Sequence, residues 1–127
     1  MMTTSDKAIS IDEYIENQAR SMKANELREL RRFLPALAEK KNAALAQKRE
    51  KLIRGIDMLA DLLPSAAVER ATDPLPHHLA ELGVAARYVL KGIDIIPDTL
   101  PELGLADDEW IVNRVMQRNP QLIPTNQ

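Results

Sequence analysis

The chain has 127 residues, enough for one domain with a core that needs neither disulfide nor metal, and its 45% hydrophobic content excludes a chain disordered by composition. It has no cysteine, which excludes a disulfide framework, a thiol nucleophile and a zinc–thiolate site. The net charge of −2 conceals a partition: residues 1–19 carry −3, residues 20–54 carry +7 and residues 55–127 carry −6.

Aromatics are 3% of the chain, and the apolar content is mostly Leu, Ala, Ile and Val. Leu and Ala favour helix, and no window alternates apolar and polar residues in the manner of a strand. An all-α fold is expected. The stretch Met1 to Lys7 lacks the apolar run of a signal peptide, and nothing approaches the roughly 20 apolar residues of a membrane span. The cytoplasm is the expected location.

In chain order, Ser10-Ile11-Asp12-Glu13 fits a capping box that starts a first helix, with Ile9 and Tyr14 placed for a hydrophobic staple. Ile11, Tyr14, Ile15, Ala19 and Met22 follow at helical spacing. A second helix is predicted from about Asn25 to Phe33 on Leu27, Leu30 and Leu34, and Pro35 marks a break or a new start. From Pro35 to Leu63 there is no internal proline. As one helix this stretch would reach ~43 Å, beyond the roughly 28 Å expected across a globule of this size. Its halves differ: Leu52, Ile56, Leu59 and Leu63 form a seam joined by Ile53 and Leu62, whereas Ala38 to Lys51 offers only alanines and Leu45. The second half reads as core, with Gly55 a soft point, and the first as a lightly buried basic arm. Pro64, Pro74 and Pro76 mark a connection, and Asp73-Pro74 reads as N-cap and first residue of the next helix. That helix carries Leu79, Leu82, Ala86 and Val89, widened by Ala85 and Leu90, and Gly92 is its predicted stop. A last helix is predicted from about Asp107 to Arg118, ended by Asn119-Pro120, with 119–127 a loose tail.

The connection from Gly92 to Asp108 is the most distinctive segment. It holds six aliphatics, Ile93, Ile95, Ile96, Leu100, Leu103 and Leu105, too many for a solvated loop. Pro97 and Pro101 fix φ, Gly104 permits positive φ, and Asp107 reads as the N-cap of the last helix with Asp108 and Glu109 in its first turn. Tyr88 followed by Ile93-Asp94-Ile95-Ile96-Pro97-Asp98, then Leu100-Pro101, Gly104 and Asp107-Asp108, resembles the YkvA-like bacterial family, domain of unknown function 1232. The resemblance runs over about residues 79–116. It departs at Lys91-Gly92, where many members have Ser-Pro, and at Ile95, where Leu is common. It implies a helix–loop–helix unit and brings no established activity; many members carry membrane segments, which this chain lacks.

Six carboxylates, Asp94, Asp98, Glu102, Asp107, Asp108 and Glu109, crowd this region with no Lys or Arg between Lys91 and Arg114. Hard oxygen ligands of this kind suit Mg²⁺ or Ca²⁺, although the spacing is not that of an EF-hand. The candidate functional residues are Asp94, Asp98, Asp107 and Asp108, with Asp94, Asp98 and Asp108 as the metal candidates. Helix capping and pairing with Arg87, Lys91 or Arg114 is the structural alternative. Adjacent His77 and His78 point ~100° apart on a helix and suit a surface helix start better than a shared metal. No nucleophile elbow and no glycine-rich phosphate loop is present.

The basic residues Arg28, Arg31, Arg32, Lys40, Lys41, Lys48, Arg49 and Lys51 form the other candidate surface. A pI near 5.7 and the lack of a DNA-binding motif argue against nucleic acid. Alanines in place of bulky apolars argue for helix–helix contact over membrane binding, while leaving peripheral membrane contact open. Trp110 is expected as a core or core-edge anchor.

The expectation is an all-α bundle of about five helices, with a long basic middle helix and a C-terminal helix–loop–helix. The domain spans 1–127: an N-terminal helical region over 9–70, the helix–loop–helix over 73–118, and the tail. The leading function is a non-enzymatic interaction or scaffolding module that engages a protein partner or self-associates, with no cofactor. The alternatives are a metal-binding or metal-dependent enzyme using the loop carboxylates with a divalent cation, and anionic-surface binding, to nucleic acid or lipid, through residues 20–54.

Overall fold

The structure, a computed structural model, describes the backbone of residues 4–91 and 101–123 and the side chains of 11–90 and 106–123. Seven α-helices lie in these residues: α1 (Thr4–Arg20), α2 (Ala24–Glu29), α3 (Leu34–Ala46), α4 (Glu50–Leu62), α5 (Ala66–Glu69), α6 (His77–Lys91) and α7 (Pro101–Arg118). Five of them have 13 residues or more, and no strand occurs among the described residues. The all-α bundle expected from leucine and alanine content is what forms.

Several boundaries differ from the sequence reading. Helix α1 starts at Thr4, so Ser10 to Glu13 lies inside it and does not start it. Residues 4–9 contain neither Pro nor Gly to halt propagation toward the N-terminus. The Ile9 side chain of the expected staple lies outside the described residues. Leu34 is helical, at φ −55° and ψ −38°, despite preceding Pro35. A 3-10 turn, Leu30–Phe33, leads straight into α3, with Pro35 in the first turn, where a missing amide hydrogen leaves no bond unmade.

The long basic middle helix is instead two helices, α3 and α4, which pack against each other. The break falls at Gln47-Lys48-Arg49. Lys48 adopts a left-handed φ of 57°. Its amide donates to the Leu45 carbonyl at 3.1 Å, and the Arg49 amide donates to Ala44 at 3.0 Å. This pair of bonds is the Schellman closure of a helix C-terminus, formed here without glycine. Splitting the helix lets the leucine seam of α4 (Leu52, Ile56, Leu59) and Leu63 enter the core.

Helix α6 is buried nearly all round. Leu79, Leu82, Ala85, Ala86, Tyr88 and Val89 are all inaccessible or nearly so, as expected of a helix at the centre of a bundle. It packs on α1 and α7; α7 in turn packs on α4, and α4 on α3, while α3 and the 3-10 turn return to α6. Gly55 lies tight against Val112 of α7: a Cβ there would sit 2.0 Å from Val112 Cγ1. It is a contact surface, not the soft point read from sequence. Helix α7 begins at Pro101 and takes in Gly104 and Asp107, so Asp107 is not its N-cap. Proline suits a first helical turn, and the residues that follow continue the helix. The predicted stop, Gly92, lies outside the described residues. The first residues of the predicted loose tail, 119–123, pack onto the fold instead: Asn119 and Leu122 are buried, and Pro120–Leu122 forms a 3-10 turn, while 124–127 lie outside the described residues.

Candidate functional site

Asp107, Asp108 and Glu109 are consecutive on α7, so their side chains leave the helix about 100° apart. Each meets a different helix. Asp107, 1% exposed, accepts a hydrogen bond from the Tyr88 hydroxyl of α6. Asp108, 3% exposed, pairs with the Lys40 ammonium of α3 at 2.8 Å. Glu109 accepts from Arg49 Nη1 at 3.1 Å and from the Leu52 backbone amide at 3.2 Å. Leu52 is the third residue of α4, whose N-cap position, Arg49, makes no capping bond of its own. Glu109 thus satisfies a first-turn amide of α4 from another helix, and its charge suits that end of the helix dipole. One turn of α7 is therefore a polar hub fixing α6, α3 and α4.

Of the four candidate residues, Asp107 and Asp108 lie in this hub, while Asp94 and Asp98 lie outside the described residues. Asp108 is accordingly the one described member of the suggested metal trio. Among the described residues no group of three or more His, Asp or Glu could hold a metal ion. The hub's chemistry is that of buried, charge-assisted hydrogen bonds, which fix geometry strongly when every partner is supplied.

A second network joins α1, α6 and the end of α7, and sequence reasoning missed it. Glu81 of α6 is fully buried. Arg118 grips it with two hydrogen bonds, 2.9 Å from Nε and 2.7 Å from Nη2, and the Asn119 amide donates at 2.8 Å. His77, one turn earlier, lies 2.7 Å away. Arg118 also reaches Glu16 of α1 at 3.2 Å, and Arg114 forks onto Asp12 at 2.7 and 3.0 Å. Burial alone pushes the Glu81 carboxyl up, but the hydrogen bonds from Arg118 and Asn119 and the charges of Arg118 and His77 outweigh it, and the net position is below its ordinary value. Arg114's hydrogen bond likewise lowers Asp12, and the bond to Glu81 raises Arg118. The available signal was that Glu81 lies within the apolar run Leu79 to Ala86 of α6, a placement that demands a buried partner.

Asp73 also departs from its predicted role. Helix α6 begins at His77, and Asp73 Oδ1 instead accepts the Ala24 amide at 2.8 Å. It caps α2 from 49 residues away in sequence. His77 opens α6 at the surface, as expected, and Trp110 is half-buried against the core.

The basic residues do not form one arm. Arg28 donates to the Ala71 carbonyl at 2.7 Å, Arg31 pairs with Glu69, Arg32 with Glu29, Lys40 with Asp108, Lys41 with Asp57, and Arg49 with Glu109. Lys48 and Lys51 are exposed on the turn and on α4. Much of the positive middle of the chain is thus turned onto acids elsewhere in the fold. What remains open is the outer side of α3. Only Leu37 and Ala44 of its 13 residues are buried. The two large hydrophobic residues most exposed among the described residues are on it or next to it: Leu45 at 52% and Phe33 at 43%.

No helix among the described residues is long and apolar enough to cross a membrane. No curated protein and no solved structure matches the chain. Residues 78–113 match a family described as "Protein of unknown function (DUF1232)". The matched stretch takes in Glu81 of the second network and the whole Tyr88–Asp107–Asp108–Glu109 face of the hub, and across it the chain carries a DUF1232 domain.

Proposed function

We propose that the protein is a non-enzymatic helical interaction module that pairs with a second copy of itself through the outer face of α3. The carrying observation is a 13-residue helix with two buried residues, flanked by the exposed side chains of Phe33 and Leu45. Helices this short draw their stability from a packed apolar face, not from propensity. Helix α3 has half of that packing from α4 and the 3-10 turn. Its other half carries Ala36, Ala38, Ala43, Ala46 and Leu45 alongside Pro35, Glu39 and Asn42, all exposed. Ala38 and Leu45, seven residues apart, fall on the same line of the helix. Small residues allow two helix axes to approach closely, and Leu45 and Phe33 supply the bulk to fill the gap. A symmetric pair would bury the same patch on both copies.

Sedimentation across a rising concentration series tests this. The expected outcome is a monomer–dimer equilibrium that Leu45→Glu abolishes, together with its partner variant Phe33→Ser, while the helical circular dichroism is unchanged. A protein that stays monomeric throughout the series, or a dimer indifferent to both substitutions, overturns the proposal.

A further inference from the structure

The end of α1, the link 21–23, the segment 73–75 and the start of α6 enclose a groove of 370 Å³. This lies at the small end of the size range of small-molecule sites. Its floor is apolar. Ala19, Met22 and Ala80 are buried there, Leu75 is half-buried, and with Val84 they form a cluster distinct from the main core. Its rim carries five ionisable side chains, and they are not equivalent. Glu16 is held by Arg118 at 3.2 Å, Asp73 accepts the Ala24 amide at 2.8 Å, and His77 lies against Glu81 at 2.7 Å. Among the described residues, by contrast, the Arg20 guanidinium bonds only the neutral side-chain oxygen of Asn17, and the Lys23 ammonium has no hydrogen-bond or ion-pair partner. Both are exposed at the mouth of the groove.

We propose that this groove binds a small aliphatic carboxylate, with the hydrocarbon body on Ala19, Met22, Leu75 and Ala80 and the carboxylate between Arg20 and Lys23. An apolar floor beneath two cations without carboxylate partners matches an anion with a short apolar body. A single negative charge fits better than a phosphate dianion, because Glu16 and Asp73 stand on the same rim and repel added negative charge. The site is independent of α3, so its test and the dimer test succeed or fail separately.

The probe is sodium octanoate, with octanamide as its uncharged counterpart. Methyl resonances of Ala19, Met22 and Ala80 report occupancy. The expected outcome is saturable shifts confined to these methyls on adding octanoate, with affinity reduced roughly tenfold or more for octanamide and for the Arg20→Gln/Lys23→Gln double variant. Those two side chains are exposed, so the fold is retained. Gly83→Ala is the complementary variant. A Cβ at Gly83 would come within 2.9–3.0 Å of the Met22 side chain, which must move, and its weakening of octanoate binding reports on the floor without touching charge. Equal binding of acid and amide, shifts spread away from the groove, or no saturable shift overturns the proposal.

Discussion

Gly55 sets the distance between α4 and α7. A methyl group there would lie 2.0 Å from Val112 Cγ1 and 3.1 Å from Val112 Cβ. Valine is stiff at χ1 and Val112 is fully buried, so it cannot turn aside cheaply. Gly55→Ala should gain about 1 kcal/mol of helix propensity and lose about 1–3 kcal/mol or more to overpacking, with this contact at the severe end. The expected net is a destabilisation on the order of 2 kcal/mol, read from denaturant midpoints. A more stable Gly55→Ala variant would mean that the helices separate freely at this crossing. From sequence the residue looked like a weak point of a helix, because propensity describes an isolated helix and says nothing of what another helix brings against it. The same limit hid the roles of Asp73 and Glu109. Asp73 was recognisable as a capping residue and Glu109 as a first-turn acid, but the helices they serve, α2 and α4, are remote in sequence.

At the scale of elements, α4 and α6 were legible because their apolar stripes are dense and periodic: Leu52, Ile56 and Leu59 on one, Leu79, Leu82, Ala86 and Val89 on the other are all buried. The end of α3 was not legible. Helix stops are read from glycine or proline, and here the left-handed position is filled by Lys48. Its traces were the excess length of an unbroken helix and the change in apolar content between the halves, and neither located the break. Lysine carries a penalty of about 1–2 kcal/mol in that conformation that glycine does not. Lys48 is exposed and the closing bonds are made by backbone atoms, so Lys48→Gly keeps all of them. The variant should be more stable by about 1 kcal/mol, a gain measurable by thermal or denaturant unfolding. Unchanged or lower stability would show that the lysine side chain contributes to the turn. The start of α7 was misplaced for a related reason: Asp107 has the identity of an N-cap, but its carboxylate is used by Tyr88 inside the bundle.

Across the whole molecule, the charge partition of the sequence becomes a set of long-range ties. The basic middle meets the acidic C-terminal part through Lys40–Asp108 and Arg49–Glu109, while Asp12 and Glu16 of α1 meet Arg114 and Arg118 of α7. Which residues pair could not be read from the sequence, because separations of 60 to 102 residues leave no local pattern. Glu81 is the most deeply placed member. Its folded pKa and that of Asp12 lie below their ordinary values of 4.5 and 3.8. A carboxyl lowered on folding contributes stability that is fully present above its unfolded pKa and is lost as pH falls through the folded one. Stability due to these groups should therefore hold from neutrality down to about pH 5 and decline below about pH 4.5. Glu81→Gln removes the charge that Arg118 grips, and at neutral pH it should destabilise the protein by about 1.5–3 kcal/mol, the range for a hydrogen bond to a charged group. In acid, wild-type Glu81 takes up a proton and comes to resemble the glutamine, so the two stability curves should converge as pH falls below its ordinary value of 4.5 and through the lowered folded one. Denaturant midpoints of both proteins across that range decide the matter. Curves that stay parallel would show that Glu81 is not the group through which acid loosens the α1–α6–α7 junction.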